Sequence, residues 1–373
     1  MKWQMVEKAS ITLRVANEFR HIMEPDDNET GIAATDAKIE ARNRLWKCPD
    51  ELVVDNLYVD LKGLCGGMFD ARIGRQDLMY GTGKLVLEGT PNDGSRTLYS
   101  DAFKVSYKGI PKNTVDFFGI YNRPTNDLVL GNEDRALINT VEKGGGVYLM
   151  NQAFAVCPFE AYYMFKCEED FGTSPSRDVN TVGFRVMPKK GAISANLEAA
   201  YQFGDWGEKG LNGAMIDALL SYELSSTGMK PTINAGCYYL SGDDPTTTDK
   251  DEGWNPLWAR YPQNSELYVF AYAGARWSNL SMPFVGASAE LTKNVKIKAR
   301  VSDLTAPEND GPGPGHRRGL LGQVVTEFTL GKGLLAKNDK LSGHLLADVL
   351  KQGDYYTSFD TACFLRWQLM YEF

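Results

Sequence analysis

The chain has 373 residues, 43% of them hydrophobic and 11% aromatic, with a mean hydropathy of −0.33 and a net charge of −8. No stretch approaches the roughly 18 uncharged residues of a membrane-spanning helix, which excludes a helical inner-membrane protein, and the acidic balance argues against a nucleic-acid partner. Two classes fit these numbers: a soluble multidomain protein, and a β-barrel whose strands alternate lipid-facing with water-facing residues and so average out as mildly polar.

The opening residues, MKWQMVEKAS, lack the apolar core of a secretory signal, so an exported form is expected to carry its signal outside this numbering. From there apolar and polar residues alternate with period two, as in strands that face two media. ITLRVANEFR (11–20) sets Ile11, Leu13, Val15 and Phe19 against Arg14, Glu18 and Arg20. AKIEARNRLW (37–46) sets Ile39, Ala41 and Leu45 against Lys38, Glu40, Arg42 and Arg44. NLYVDLK (56–62) opposes Tyr58, Asp60 and Lys62 to Leu57, Val59 and Leu61, and FDARIG (69–74) follows with Asp70 and Arg72. DAFKVSYK (101–108), ANLEAAYQF (195–203), AMIDALLSYEL (214–224) and TINAGCYY (232–239) continue the rule. VKIKARVS (295–302) places Lys296, Lys298 and Arg300 opposite Val295, Ile297 and Ala299. CFLRWQLMYEF (363–373) ends on the same alternation, with Leu365, Trp367, Leu369, Tyr371 and Phe373 on one face and Arg366 and Gln368 on the other.

Connections come in two kinds. Short turns (KCPDE, PKN, PKKGA, TKN) alternate with long Gly-, Asp-, Asn- and Pro-rich loops at 22–35, 124–145, 171–179, 242–264 and 303–319. Short turns at one end and long loops at the other are the asymmetry of an outer-membrane barrel. The expected fold is all-β, a closed antiparallel transmembrane barrel over 1–373 as one domain. Parity gives eighteen strands if GKLVLEG (83–89) is a strand and 265–275 belongs partly to the loop before it, with sixteen as the alternative. Both termini are then periplasmic, and the last strand pairs back onto 11–20, because closure leaves no exposed edge. A soluble sandwich is disfavoured because its core cannot bury rows such as Arg14/Glu18/Arg20 or Lys296/Lys298/Arg300. The six cysteines are expected to be unpaired, Cys237 and Cys363 serving as small hydrophobes on apolar faces.

The stretch FDARIGRQDLMYGTGKLVLEGTPNDGSRTLYSDAFKVSY (69–107) resembles the N-terminal signature of alginate-export-family outer-membrane barrels, in which a Tyr-containing strand (here NLYVDL) precedes a Gly-Arg-Gln strand, a YG-x-G turn and an Arg-Thr segment. YYLSGDDPTTTDKDEGWNPLWARYPQNSELYVFAY (238–272), with its SGDD opening and WNPL centre, resembles the long loop of the same family. The resemblance implies an 18-stranded barrel that exports an anionic polysaccharide past a lining of basic residues. A terminal Phe with Tyr two residues before it also resembles the C-terminal signal of bacterial outer-membrane proteins.

A conduit needs a pore lining that selects its cargo, not a nucleophile or a general base. Strand parity sends Arg14, Glu18, Arg42, Arg44, Tyr58, Asp60, Arg72, Arg185, Lys298, Arg300 and Arg366 to the lumen, and Arg75 is added from the family-like bend Arg75-Gln76. Arg suits a carboxylated sugar because its planar fork holds a carboxylate through two hydrogen bonds, and Tyr58 is available to stack on a sugar ring. The competing reading pairs these charges across strands, Arg42 with Glu18 and Arg72 with Asp60, as a ladder that stiffens the wall. Asp243, Asp244, Asp249, Asp251 and Glu252 form an acidic loop that is a candidate Ca²⁺ site without EF-hand spacing. His21, His316 and His344 are scattered, and no G-x-S-x-G or H-E-x-x-H motif is present, so neither an enzyme nor a cofactor is expected.

The expectation is an outer-membrane channel for a hydrophilic, anionic solute such as a polysaccharide or oligosaccharide. Lipid and lipopolysaccharide would surround it, and envelope proteins are candidate partners. The alternative is a structural or anchoring barrel, plugged by its own loops, within an envelope assembly.

Overall fold

Period-two alternation becomes a physical sidedness in the computed structural model, which describes residues 2–20, 47–87, 99–125, 128–131, 138–224, 228–259, 264–265, 267–268, 277–358 and 360–373, with backbone alone at 2–6, 18–20 and 47–51. The strands are β1 (Lys2–Val6), β2 (Ala9–Arg20), β3 (Lys47–Gly63), β4 (Phe69–Gln76), β5 (Val86–Leu87), β6 (Ser100–Tyr107), β7 (Asn113–Asn122), β8 (Val129–Gly131), β9 (Glu142–Asn151), β10 (Phe159–Glu168) and β11 (Arg177–Val186). They continue as β12 (Lys189–Lys190), β13 (Ile193–Trp206), β14 (Lys209–Glu223), β15 (Thr232–Leu240), β16 (Lys250–Asp251), β17 (Trp258–Ala259), β18 (Leu280–Thr292), β19 (Val295–Thr305), β20 (Arg317–Lys332), β21 (Lys340–Gln352) and β22 (Thr361–Glu372). Setting aside the short β5, β8, β12, β16 and β17, seventeen described strands pair antiparallel with their chain neighbours to form one wall from β1 to β22.

The two faces of this wall are inverted relative to a soluble protein. Ile73, Phe103, Phe117, Phe184, Tyr201, Ile216, Val285, Leu345 and Trp367 are exposed, while Asp60, Asp116, Lys166, Glu198, Gln202, Ser302 and Asp348 are buried. In water each large apolar side chain left outside forgoes about 1.5–3 kcal/mol of burial, and a face this extensive marks contact with lipid. The same inversion rules out a sandwich. The wall wraps around inner segments, since Trp258 packs edge-on to Phe118 of β7 while Ser265 donates to Asp348 Oδ2 in β21 at 2.7 Å.

Several expected elements move. KCPDE is not a turn: Lys47–Gly63 is one strand that pairs directly with β2, and the expected strand 37–46 and loop 22–35 lie outside the described residues. GKLVLEG does not join the wall. Only Val86–Leu87 is extended, and it pairs in parallel with Trp258–Ala259 in a separate two-stranded sheet. The chain leaves the wall at Gln76, and β8 takes the vacated edge of β3, Leu52 facing Gly131 and Val53 facing Val129. Gly144 and Gly145, placed by sequence in the loop 124–145, belong to β9. Their missing side chains had hidden the alternation, and a Cβ on Gly144 would stand 2.6 Å from the Trp258 indole.

Among the described strands β22 pairs with β21 alone, and the lower edge of β2 is taken by β1 rather than by the last strand. β22 finishes at the short-turn end, Glu372 beside Lys340, whereas β1 enters its turn from Lys2, which lies opposite Thr12 partway up the wall. Cys65, Cys157, Cys167, Cys237 and Cys363 are free.

Two polar anchors hold this arrangement. Inside, the buried Lys166 ammonium lies 2.7 Å from Glu168 Oε1 and 3.0 Å from Glu142 Oε1, and donates to the Leu257 carbonyl at 2.8 Å, tying the inner loop to β9 and β10. At the short-turn end, Asp339 accepts from the backbone N–H of Leu334 (2.6 Å), Leu335 (2.5 Å) and Ala336 (2.7 Å) and from the Tyr371 hydroxyl (2.6 Å), clamping the 333–339 turn to the last strand.

Lys166→Met leaves Glu142 buried without its cation, a change that costs about 3–5 kcal/mol. The expected result is a lower temperature for the heat-induced gel-mobility shift, with new proteolytic cuts near 252–259. Burial pushes the Asp339 carboxyl up, but the Tyr371 hydroxyl and the three backbone N–H groups outweigh it and hold it below the usual carboxylate range. A carboxyl depressed on folding stabilises at pH above its unfolded value of about 3.9, and that contribution is lost as pH falls through the folded value. The gel-shift temperature of the wild type should therefore drop on acidification over that range, and Asp339→Asn should remove this part of the acid sensitivity.

Candidate functional site

The inward face begins at the β2–β3–β4 quadrant. Arg14 Nε reaches Asp55 Oδ2 at 2.5 Å, and its two terminal nitrogens grip Asp77 at 2.8 and 2.9 Å. Arg72 grips Asp60 through two bonds of 2.7 and 3.1 Å and lies 4.1 Å over the Tyr58 ring. The Tyr58 ring face expected to be free for a sugar thus carries a guanidinium, and only a cavity of about 80 Å³ remains between Arg14, Tyr58, Arg72 and Asp77. The cross-strand ladder reading holds for Arg72 and Asp60. Arg42, Arg44 and the Glu18 side chain lie outside the described residues, and with them the Arg42–Glu18 pair.

Arg75 is a correction. Its register opposite Leu57 and Asp101, on the face of the exposed Ile73 and Phe103, turns it away from the lumen. It binds Asp101 through two bonds of 2.9 and 3.1 Å, donates to the Val54 carbonyl and stacks 3.7 Å under Tyr99. Gln76 beside it donates to the carbonyls of Gly74 and Ala102. The family-like pair therefore braces the point where the chain leaves the wall.

The remaining predicted residues face inward. Arg185 donates to Glu160 Oε2 at 2.8 Å and to Asn196 Oδ1 at 2.7 Å, and Lys298 reaches Glu327 at 2.5 Å. Arg300 lies 3.6 Å over Phe284 and contacts Asn264 weakly at 3.4 Å, its Nε without a hydrogen-bond partner. Arg366 helps line a cavity of about 590 Å³ at the short-turn end with Lys293, Lys296, Lys340, Glu290 and Glu327.

The acidic loop does not gather a metal site. Asp243 accepts from the Glu252 N–H, Asp251 from the Gly253 N–H, and Glu252 from the Thr247 hydroxyl. Asp244 is held below the usual carboxylate range by the Thr246 N–H and hydroxyl. These carboxylates point at their own backbone, and among the described residues no cluster of three or more His, Cys, Asp or Glu is placed to hold an ion. Asp249 joins no such cluster either.

Sequence reasoning missed the centre of the lumen. Leu78, Tyr80, Leu85, Val86, Trp254, Leu257, Trp258 and Tyr268 from the inner segments pack against Phe118, Tyr148, Tyr162, Met164 and Met282 of the wall. Carboxylates ring this apolar filling: Tyr80 donates to Asp116 at 3.2 Å, Tyr148 to Glu160 at 2.6 Å and Tyr162 to Glu198 at 2.7 Å. Lys84 lies 3.8 Å from Asp217 and 3.9 Å over the Tyr238 ring. The available signals were the YG-x-G and WNPL motifs, which supply the turn and the tryptophan that enter the lumen.

Comparison with solved structures returns outer-membrane porins. A BenF-like porin from Pseudomonas fluorescens Pf-5 covers 99% of this chain and 88% of its own, at 11% identity and a TM-score of 0.58. OccK1 (OpdK) of Pseudomonas aeruginosa covers 84% and 78% at 13% identity and 0.55, and OccK2 (OpdF), crystallised in complex with glucuronate, covers 86% and 81% at 13% identity and 0.53. At these identities the likeness establishes the outer-membrane barrel fold. Comparison with curated protein sequences gives no significant match. The family model described as alginate export matches residues 9–304, most of the wall and both inner segments, and the chain accordingly belongs to the alginate export family.

Proposed function

We propose that the chain, as one domain over 1–373, closes into an outer-membrane channel that passes a hydrophilic, anionic saccharide, with its short turns and C-terminus on the periplasmic side. The observation that carries this reading is the inverted wall, apolar outside and charged within, which a membrane barrel requires. The anionic preference rests on the 590 Å³ vestibule at the short-turn end, where Lys293, Lys296, Lys340 and Arg366 outnumber Glu290 and Glu327. Deeper in, Arg14, Arg72 and Arg185 each hold a carboxylate of the wall or inner segment, so the vestibule rather than a continuous basic track does the collecting. OccK2 carries glucuronate and OpdK carries vanillate, both carboxylates, and this lends the same chemistry support by likeness of fold.

A second reading has its own observation. The filled lumen favours a structural barrel, held in an envelope assembly and closed by its inner segments. Planar-bilayer recording separates the two, because a structural barrel gives no open-channel current. Lys293→Glu with Lys296→Glu should move the reversal potential under a salt gradient toward cation selectivity. An unchanged potential would sink the assignment of the vestibule as the anion-collecting mouth.

A further inference from the structure

Three neighbouring short turns of the wall form one exposed surface. They are 108–112 (KGIPK) between β6 and β7, 152–158 (QAFAVCP) between β9 and β10, and 187–192 (MPKKGA) between β11 and β13. Backbone bonds tie them together. Gln152 N–H donates to the Lys112 carbonyl at 2.8 Å, Lys189 N–H to the Val156 carbonyl at 2.9 Å and Met187 N–H to the Pro158 carbonyl at 2.9 Å. In a chain of net charge −8 these turns carry four lysines and no Asp or Glu. Lys108 is neutralised by Asp70 at 2.6 Å. Lys112, Lys189 and Lys190 are exposed, and among the described residues no carboxylate pairs with them.

The same turns hold large apolar side chains outside, with Ile110 50% exposed, Phe154 63% and Val156 66%. A patch of this kind marks a contact surface, and the neighbouring wall says with what. Tyr107, Val115, Leu149, Ala161 and Phe184 face one another as one row across β6, β7, β9, β10 and β11. That row shares the face of the exposed Phe103 and Phe117, which meets lipid. Phe154 extends it, its ring 6.1 Å from Phe159, which in turn lies 5.6 Å from Phe184. The apolar turn is thus continuous with the lipid-facing wall and carries its lysines at the same level. Apolar rings beside cations are the profile of a membrane interface, where a lysine stem stays in the apolar layer and its ammonium reaches the headgroups. The absence of acidic residues from these turns matches a partner of negative charge.

We infer that the turns 108–112, 152–158 and 187–192 form a binding surface for anionic phospholipid. Ile110, Phe154 and Val156 enter the acyl boundary, and Lys112, Lys189 and Lys190 hold the headgroup phosphates. One sector of the short-turn rim is thereby fastened to the leaflet it faces. The inference rests on the membrane-spanning wall and is independent of what the lumen passes.

The test titrates the full chain, in a neutral detergent, with dioleoylphosphatidylglycerol or with dioleoylphosphatidylcholine, and reads the bound lipid by native mass spectrometry. Each lysine near an anionic surface contributes about fivefold in affinity. The wild type should therefore hold phosphatidylglycerol at least about tenfold more tightly than phosphatidylcholine. Lys112→Gln with Lys189→Gln and Lys190→Gln should lose that preference, the three Lys→Arg changes should keep it, and Lys337→Gln in another short turn should leave it unaltered. Phe154→Ser with Val156→Ser should weaken both lipids by the same factor. Folding of each variant is checked by the heat-induced gel shift, and the wild-type preference is read without any variant. Equal retention of the two lipids by the wild type overturns the inference and leaves these turns to a protein partner. A preference that survives the three Lys→Gln changes, or serine variants that hold both lipids as the wild type does, overturns it as well. No conductance enters the measurement, so its failure leaves the channel reading standing.

Discussion

Backbone hydrogen bonding within a lipid layer is the constraint on which this structure depends. Hydrocarbon offers no partner to an N–H or C=O group, so a spanning segment must satisfy all of them internally, and a wall of consecutively paired strands does so. Once that pairing is set, side chains have only two directions. The solvent on each side then dictates composition: Phe103, Tyr201, Val285 and Trp367 point outward, and Asp60, Glu198, Gln202 and Ser302 point inward. The inverted exposure of the molecule follows from this alone.

A wide polar interior creates a second problem, because facing rows of like or unlike charge need compensation. The wall resolves most of it locally, through pairs such as Arg72–Asp60 and Arg185–Glu160. The inner segments resolve the rest by entering the lumen with both kinds of group. Asp77 meets Arg14, Lys84 approaches Asp217, and the Leu257 carbonyl accepts from Lys166. Between these polar contacts the same segments carry the aromatic and aliphatic residues that fill the centre. The filling is thus not a hydrophobic core in the ordinary sense; it is an apolar island whose edges are ionic.

That arrangement fills the middle of the lumen with the chain's own residues. A lumen lined by unbroken positive charge would need counter-ions or cargo to be stable, whereas this one is neutralised by its own chain. The charged vestibule at the short-turn end, by contrast, is roomy and keeps cationic character. The roomy charged cavity and the filled centre are accordingly separated in space, one at the short-turn end and one at mid-lumen.

The sequence by itself determined the two-faced strands, the all-β class and the inward placement of Arg14, Tyr58, Asp60, Arg72, Arg185, Lys298, Arg300 and Arg366, because side-chain direction in a strand is local and alternates with each residue. The last strand shows this well, with Arg366 and Gln368 inward and Leu365, Trp367 and Leu369 outward. Local pattern failed where residues carry no facing signal or where the chain leaves the wall. Gly144–Gly146 have no side chain to alternate, and the hydrophobic run at 85–87 reads as a wall strand although it packs inside. Arg75 entered the lumen set through the family-like bend and not through strand parity, and its register against Leu57 and Asp101 places it on the outer face. The tertiary structure alone decided which segments fill the lumen and which carboxylate each cation meets. Those contacts join residues as distant in sequence as Lys166 and Leu257, and no periodicity records a distance of that kind.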